Sequence, residues 1–395
     1  MTQLEHHTAV IDDEPLAPAA AAGLAAPAEQ TLRHPATSGR VIQLDFLRGI
    51  AILAVMAYHF HTVPVHNPFA RGFDYVTKRS GWMGVDLFFV LSGFLVGGLL
   101  VQELLKTDGL RIKRFLLRRM MKIWPAYYVY LLFQIAIRRH PLGTFAWQNI
   151  LNIQNYAGTS LDHTWSLAVE EHFYLLLPPL LLLLYRTRRL RERMVPILAG
   201  LCVLVLCGRI LSVYVFHAGD PQWKTHARID GLLFGVLLSW IFYTDRPRFD
   251  RWIAHRLPIA LAALLGVLFA VYEGRHTPLV WSFGYTFIYL TMSALLLLTY
   301  GYEGKLTRSP LYRLMAAIGI YSYGIYLWHL SVRDPLSTLC SRLPASSRWG
   351  ALLLSQYTAA IVLGIVTTKA VEFPILRLRD RLFPRGPANL PPEHP

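Results

Sequence analysis

The sequence predicts an all-α fold, a polytopic bundle of transmembrane helices. Three observations predict it. Hydrophobic residues make up 54% of the 395, and charged residues only 16%, against roughly a quarter charged in an ordinary soluble domain. The apolar residues come in long blocks: residues 175–185 contain no charge. The basic residues, which set a net charge of +15, collect between the blocks. This composition excludes a disordered chain, a collagen-like chain and a disulfide scaffold, and argues against a soluble enzyme. In a soluble protein the charge would suggest nucleic acid. In a membrane chain, cytoplasmic loops collect Lys and Arg. The expected partner is therefore the lipid bilayer, with no nucleic acid.

Residues 1–40 stand apart. They are Ala- and Pro-rich and carry Glu5, Asp12, Asp13, Glu14 and Glu29. Such a segment cannot bury a core and is expected to be a disordered cytoplasmic tail. It lacks the basic start and apolar run of a signal peptide. Residues 41–376 form the expected membrane domain, and 377–395 a short, proline-rich cytoplasmic tail.

Ten candidate spans of about 17–25 residues follow in order: 43–63, 82–104, 123–137, 165–185, 194–217, 227–244, 257–273, 281–302, 314–332 and 350–371. The third is short enough to draw on its basic flank. The pairs Gly93/Gly97 and Gly231/Gly235 have the Gly-x-x-x-Gly spacing that lets two helix backbones approach. With the amino terminus inside, the inside segments hold 25 Lys and Arg and the outside segments 10. That places both termini inside and makes the span count even. Cys202, Cys207 and Cys340 match no metal or redox spacing. Cys202 and Cys207, in an apolar run, read as packing residues.

Charges inside spans are costly, so they have partners or functions. On this topology His59, Asp86, Glu170, Glu171, Arg228, Asp230 and His329 all fall at the outer ends of their spans. As a set they predict a polar cavity opening outward; singly, each also fits a wet helix end. Arg48 and His59 are eleven residues apart on one predicted helix, about 16 Å along the axis and within about 20° of one face. Asp45 can neutralise Arg48 from three residues away, so a structural ion pair and a functional Arg48 both stand.

His59 has the chemistry of a general base, because a neutral imidazole accepts a hydroxyl proton near neutral pH. Glu170, Glu171 or Asp86 is expected to orient its ring. His61 and His66 read as interfacial, and no metal site is expected, since His59 and His61 do not share a helix face. The stretch RIKRFLLRRMMKIWP on the inner side holds six bases before Pro125. It reads either as an anchor for anionic lipid or as a phosphate site for a charged cofactor. Ser166 reads as a helix N-cap rather than a nucleophile.

At this point the motifs match a known pattern. LDFLRGIAILAVMAYHF, GWMGVDLFFVLSGFL, RRMMKIWP, TWSLAVEEHFYLLLP, ARIDGLLFG and IGIYSYGIYLWH occur in that order. Over about residues 41–376 the chain resembles the acyltransferase-3 family of integral membrane O-acyltransferases. The resemblance implies transfer of an acyl group, usually acetyl, from cytosolic acyl-CoA to a hydroxyl of a carbohydrate or other acceptor. It implies His59 as the base or acyl-handling residue, Arg48 as the other essential member of that motif, and Glu170 or Glu171 as a partner. Arg118, Arg119 and Lys122 match the basic motif near the acyl-CoA entry. Family members often carry Arg where this chain has Lys122, and Gln where it has His172. Asp45, Asp86, Arg228, Asp230 and His329 are expected to line or support the site. Direct attack on the thioester and a covalent acyl-enzyme both remain open. The expected setting is a bacterial inner membrane, and the acceptor a surface or exported polysaccharide or its precursor. Acylation of a small molecule such as a macrolide or glycolipid is the second reading, and transport of an anionic solute the third.

Overall fold

The computed structural model describes residues 41–60, 67–107, 109–137, 142–187, 190–300, 302 and 304–384. The expected tail at 1–40, and His61 and His66, lie outside the described residues. Within them the chain is helical and no strand occurs. The main helices are α1 (Ile42–His59), α2 (Pro68–Ser80), α3 (Gly84–Thr107), α4 (Ile112–Ala136), α5 (Trp165–Arg186), α6 (Leu190–Ile210), α7 (Asp230–Thr244), α8 (Arg256–Glu273), α9 (Tyr285–Thr299), α10 (Pro310–Ile320), α11 (Ser322–Cys340), α12 (Ala345–Thr367) and α13 (Phe373–Leu382).

Seven helical stretches among the described residues are long and apolar enough to cross a membrane, and α7 and α10 are shorter apolar helices. The protein is an integral membrane protein. Within the described residues each of the ten expected spans falls mainly on helix, with two differences. The third does extend into its basic flank, because α4 runs unbroken from Ile112 through Pro125. The ninth is not one helix: the backbone leaves helical geometry at Tyr321, between α10 and α11.

Close backbone approach organises the centre. Gly93 of α3 faces Gly235 of α7, and a Cβ on either would strike the other helix's main chain. Gly97 meets Val236 in the same seam, whereas Gly231 only touches side chains at ordinary distance. Gly49 of α1 and Gly319 of α10 form a second such seam. By contrast α8 and α12 are mostly exposed, with Leu264, Leu265, Leu354 and Val362 facing outward. Since lipid tails are as apolar as these side chains, such faces suit the bilayer, and glycine contacts hold the interior. Cys202 is buried but Cys207 is exposed, so only the former packs within the protein.

Outside this bundle, α2 starts at an Asn67 cap, whose side chain accepts from the Phe69 and Ala70 amides. Its side chains then tie down three helices. Lys78 Nζ donates to the Tyr58 carbonyl at 2.8 Å and to the Phe60 carbonyl, on either side of His59. Arg79 donates to the Val271 and Tyr272 carbonyls at the end of α8. Asp74 accepts from the Trp349 indole on α12 at 3.1 Å. The Lys78 and Arg79 ties satisfy carbonyls that a helix end leaves unpaired.

Candidate active site

His59 is the last residue of α1. Its Nδ1 lies 3.0 Å from the Val55 carbonyl and 3.2 Å from Nε2 of His329. A carbonyl oxygen only accepts, so His59 Nδ1 carries the proton. Nδ1 of His329 lies 2.7 Å from the Tyr326 carbonyl and carries its proton by the same rule. His329 Nε2 is then the acceptor that faces His59. Two main-chain carbonyls therefore fix both tautomers, and Nε2 of His59 is left with its lone pair. His59 lines a cavity of about 340 Å³ together with Tyr58, Tyr130, His163, Trp165, Trp223 and Arg275.

A second site lies at the other end of α1. Arg48, Arg119 and Lys122 line two cavities at once. One, of about 430 Å³, is open to Arg114, Arg118, Glu372 and Arg379. The other, of about 230 Å³, runs inward past Val85, Phe88 and Leu91 to Ser166 and Tyr326. Arg119 and Lys122 make no ion pair among the described residues. Arg119 instead lies over the rings of Phe115 and Tyr174, at 5.8 and 5.7 Å. The inner cavity ends at Tyr326, whose hydroxyl is hydrogen-bonded to Ser166 Oγ at 2.6 Å and donates to the His163 carbonyl at 2.5 Å. His163 and Tyr326 thus stand between the cavities. Among the described residues no group of His, Cys, Asp and Glu is placed to hold a metal ion.

The expected outward cavity does not gather all seven ionisable residues. Glu170, Glu171 and Asp86 do not reach His59; its hydrogen-bonded neighbour is His329. Glu170 lines the inner cavity with Arg48 and accepts from the Tyr174 hydroxyl at 3.0 Å. Glu171, the next residue on α5, points elsewhere and accepts from the Trp124 indole at 3.2 Å. Asp86 is buried against Arg228 at 2.6 Å, and Arg228 lies 4.0 Å over the Tyr285 ring. Asp230 is buried against Arg209 at 2.7 Å. These two pairs weld α3, α6, α7 and α9 together instead of facing a cavity. Asp45 does reach Arg48, at 3.9 Å. Arg118 is held by Asp380 at 2.9 Å and by the Phe383 carbonyl, which docks α13 on α4. Ser166 is not the helix cap, since α5 begins at Trp165; its hydroxyl serves Tyr326 instead.

Sequence reasoning missed Arg209 and His163. Arg209 is buried and also donates to the Ala227 and Ser282 carbonyls, at 2.7 and 3.0 Å. A lone arginine inside the fifth apolar block was the available signal. His163 sits just before α5, in ring contact with His329 at 5.5 Å; nothing in its local sequence marks it.

The model of a family described as an acyltransferase domain matches residues 41–371. The chain is 27% identical over 364 residues to the peptidoglycan O-acetyltransferase OatA of Listeria monocytogenes, covering 85% of this chain and 56% of that protein. It is 27% identical over 372 residues to YrhL of Bacillus subtilis, named "Putative peptidoglycan O-acetyltransferase", covering 87% and 56%. The chain thus spans about half the length of the curated relatives it matches. No solved structure matches it. With the family model extending from α1 to beyond the end of α12, the chain belongs to the acyltransferase-3 family of membrane proteins.

Proposed function

We propose that the protein is a membrane O-acyltransferase that moves an acetyl group from acyl-CoA to a carbohydrate hydroxyl. The relatives' names supply the chemistry, and the fixed tautomer of His59 is the observation that carries its location. A hydroxyl in the His59 cavity donates its proton to Nε2 as its oxygen bonds to the thioester carbonyl carbon. The carbon–sulfur bond then breaks, and the imidazolium returns the proton to the leaving thiolate. His329 holds the ring in place through Nδ1.

Arg48, Arg119 and Lys122 are the donor's phosphate site, because three cations gathered in one cavity wall suit a polyanion. A pantetheine-like arm then follows the narrow apolar cavity toward Tyr326. The basic end faces the cytoplasm and the His59 end faces outward, both termini being inside. The setting is a bacterial inner membrane and the acceptor an exported or surface polysaccharide.

The test uses membranes with equal amounts of wild-type protein and the His59→Ala variant, given acetyl-labelled acetyl-CoA. Label on host glycans with wild type, absent with His59→Ala, is the expected result. Label that persists in the variant overturns the role of His59.

A further inference from the structure

Within the His59 cavity, Arg275 differs from the other charged side chains. Arg333 has its Nε 2.8 Å from the carboxylate of Asp334. Arg275 makes no ion pair among the described residues, although Asp162 and Asp334 line the same cavity. Its guanidinium lies 5.3 Å from the Tyr58 ring centre and donates one N–H to the Tyr58 hydroxyl at 2.6 Å. That ring is in edge contact with His59 at 5.1 Å. The Tyr58 oxygen accepts from Arg275, so its own O–H is free to donate. An arginine with N–H groups to spare and a phenol O–H therefore converge in the wall of the cavity, one residue from the base.

The arrangement is held, not loose. Lys78 grips the Tyr58 carbonyl from α2, and the Trp281 indole donates to the Arg275 carbonyl at 3.1 Å. Arg79 clamps the end of α8 just before Gly274 and Arg275. Trp165 and Trp223 line the same cavity. Flat aromatic faces beside fixed polar groups are the surface a sugar ring requires, with orientation set by the few charged groups.

We infer that the acceptor carries an anionic group, a carboxylate or a phosphate, near the hydroxyl that is acylated, and that Arg275 and the Tyr58 hydroxyl hold it. A planar guanidinium pairs with such groups by two parallel N–H bonds, and charge-assisted bonds of this kind are the strong ones. The inference rests on the acyl transfer proposed above for its second readout, and on binding alone for its first.

The experiment uses the full chain in nanodiscs and three probes. One is an oligosaccharide bearing a single glucuronate, the second its carboxyl-reduced neutral form, and the third a lipid-linked sugar pyrophosphate. Binding is read by calorimetry, and transfer with acetyl-CoA by mass spectrometry. Wild type is expected to prefer the acidic oligosaccharide over its neutral form by about ten-fold or more. Arg275→Gln should collapse that ratio, Tyr58→Phe should reduce it, and Arg275→Lys should restore part of it. The same Arg275 dependence for the pyrophosphate alone would identify phosphate as the source of the charge. Equal binding of all three probes by wild type, or an acidic-to-neutral ratio unmoved by Arg275→Gln, overturns the inference. A preference in binding without transfer would sustain the anion site and refute the acyl transfer; transfer without preference would do the reverse.

Discussion

His329 accepts a hydrogen bond from His59 across 3.2 Å, although the two are 270 residues apart in the chain. Each ring is further pinned to a main-chain carbonyl one turn back on its own helix. The pair resembles a base and its orienting group, with an imidazole where a carboxylate is commoner. Replacing His329 by Leu removes one of the two acceptors that hold the His59 ring and leaves only the Val55 carbonyl. The rate constant for transfer should fall by about a hundred-fold with little change in either KM. His329→Asn, which keeps an acceptor oxygen, should recover part of the loss. Steady-state kinetics decides it: equal losses in both variants would deny the bond any part in catalysis.

Arg118 and Arg119 are neighbours with different surroundings, and they should respond differently. Arg119→Gln removes a cation from both basic cavities and is expected to raise the KM for acetyl-CoA by about ten-fold. Arg118→Ala breaks the partly exposed pair with Asp380. It should cost about 0.2–1 kcal/mol of stability and leave donor affinity nearly unchanged. A donor-binding titration on both variants separates the two.

The buried pair of Asp86 and Arg228 predicts a non-additive response. Asp86→Leu alone strands a buried guanidinium and should destabilise by about 3–5 kcal/mol. Adding Arg228→Met removes the stranded charge and should restore much of the loss. Thermal unfolding in detergent measures both, and simple additivity would argue that the pair does not form.

Two glycines of the same spacing motif should differ. Gly93→Ala pushes a methyl into the main chain of α7 and should lower yield and melting temperature sharply. Gly231→Ala meets only side chains at van der Waals distance and should be tolerated. Equal effects would mean that the α3–α7 seam is not as close as described.

Much of this was legible in the sequence, for reasons that lie within single segments. The Gly-x-x-x-Gly spacing foretold close backbone approach, though not which helices meet, and a three-residue separation on one helix foretold the meeting of Asp45 and Arg48. What was not legible depends on which helices are neighbours. Depth along the membrane suggested that Glu170, Glu171 or Asp86 would face His59, but depth does not give azimuth. Asp86 turns to Arg228, Glu170 to the basic cavity and Glu171 to Trp124, and α11 brings His329 to the place instead. Arg209 was visible as a charge in an apolar block, but its partner lies on another helix.

The ties made by α2 carry a consequence for assembly. Arg79 grips carbonyls 192 and 193 residues further along, and Asp74 an indole 275 residues further along. During synthesis, α1 and α2 leave the ribosome long before α8 and α12 exist. The outer rim of the His59 cavity therefore stays unfastened until α12 has been inserted. A nascent chain arrested before that point holds its base and its basic cavity helix, yet lacks the fastening that fixes their geometry. The surroundings of His59 are thereby completed late in synthesis.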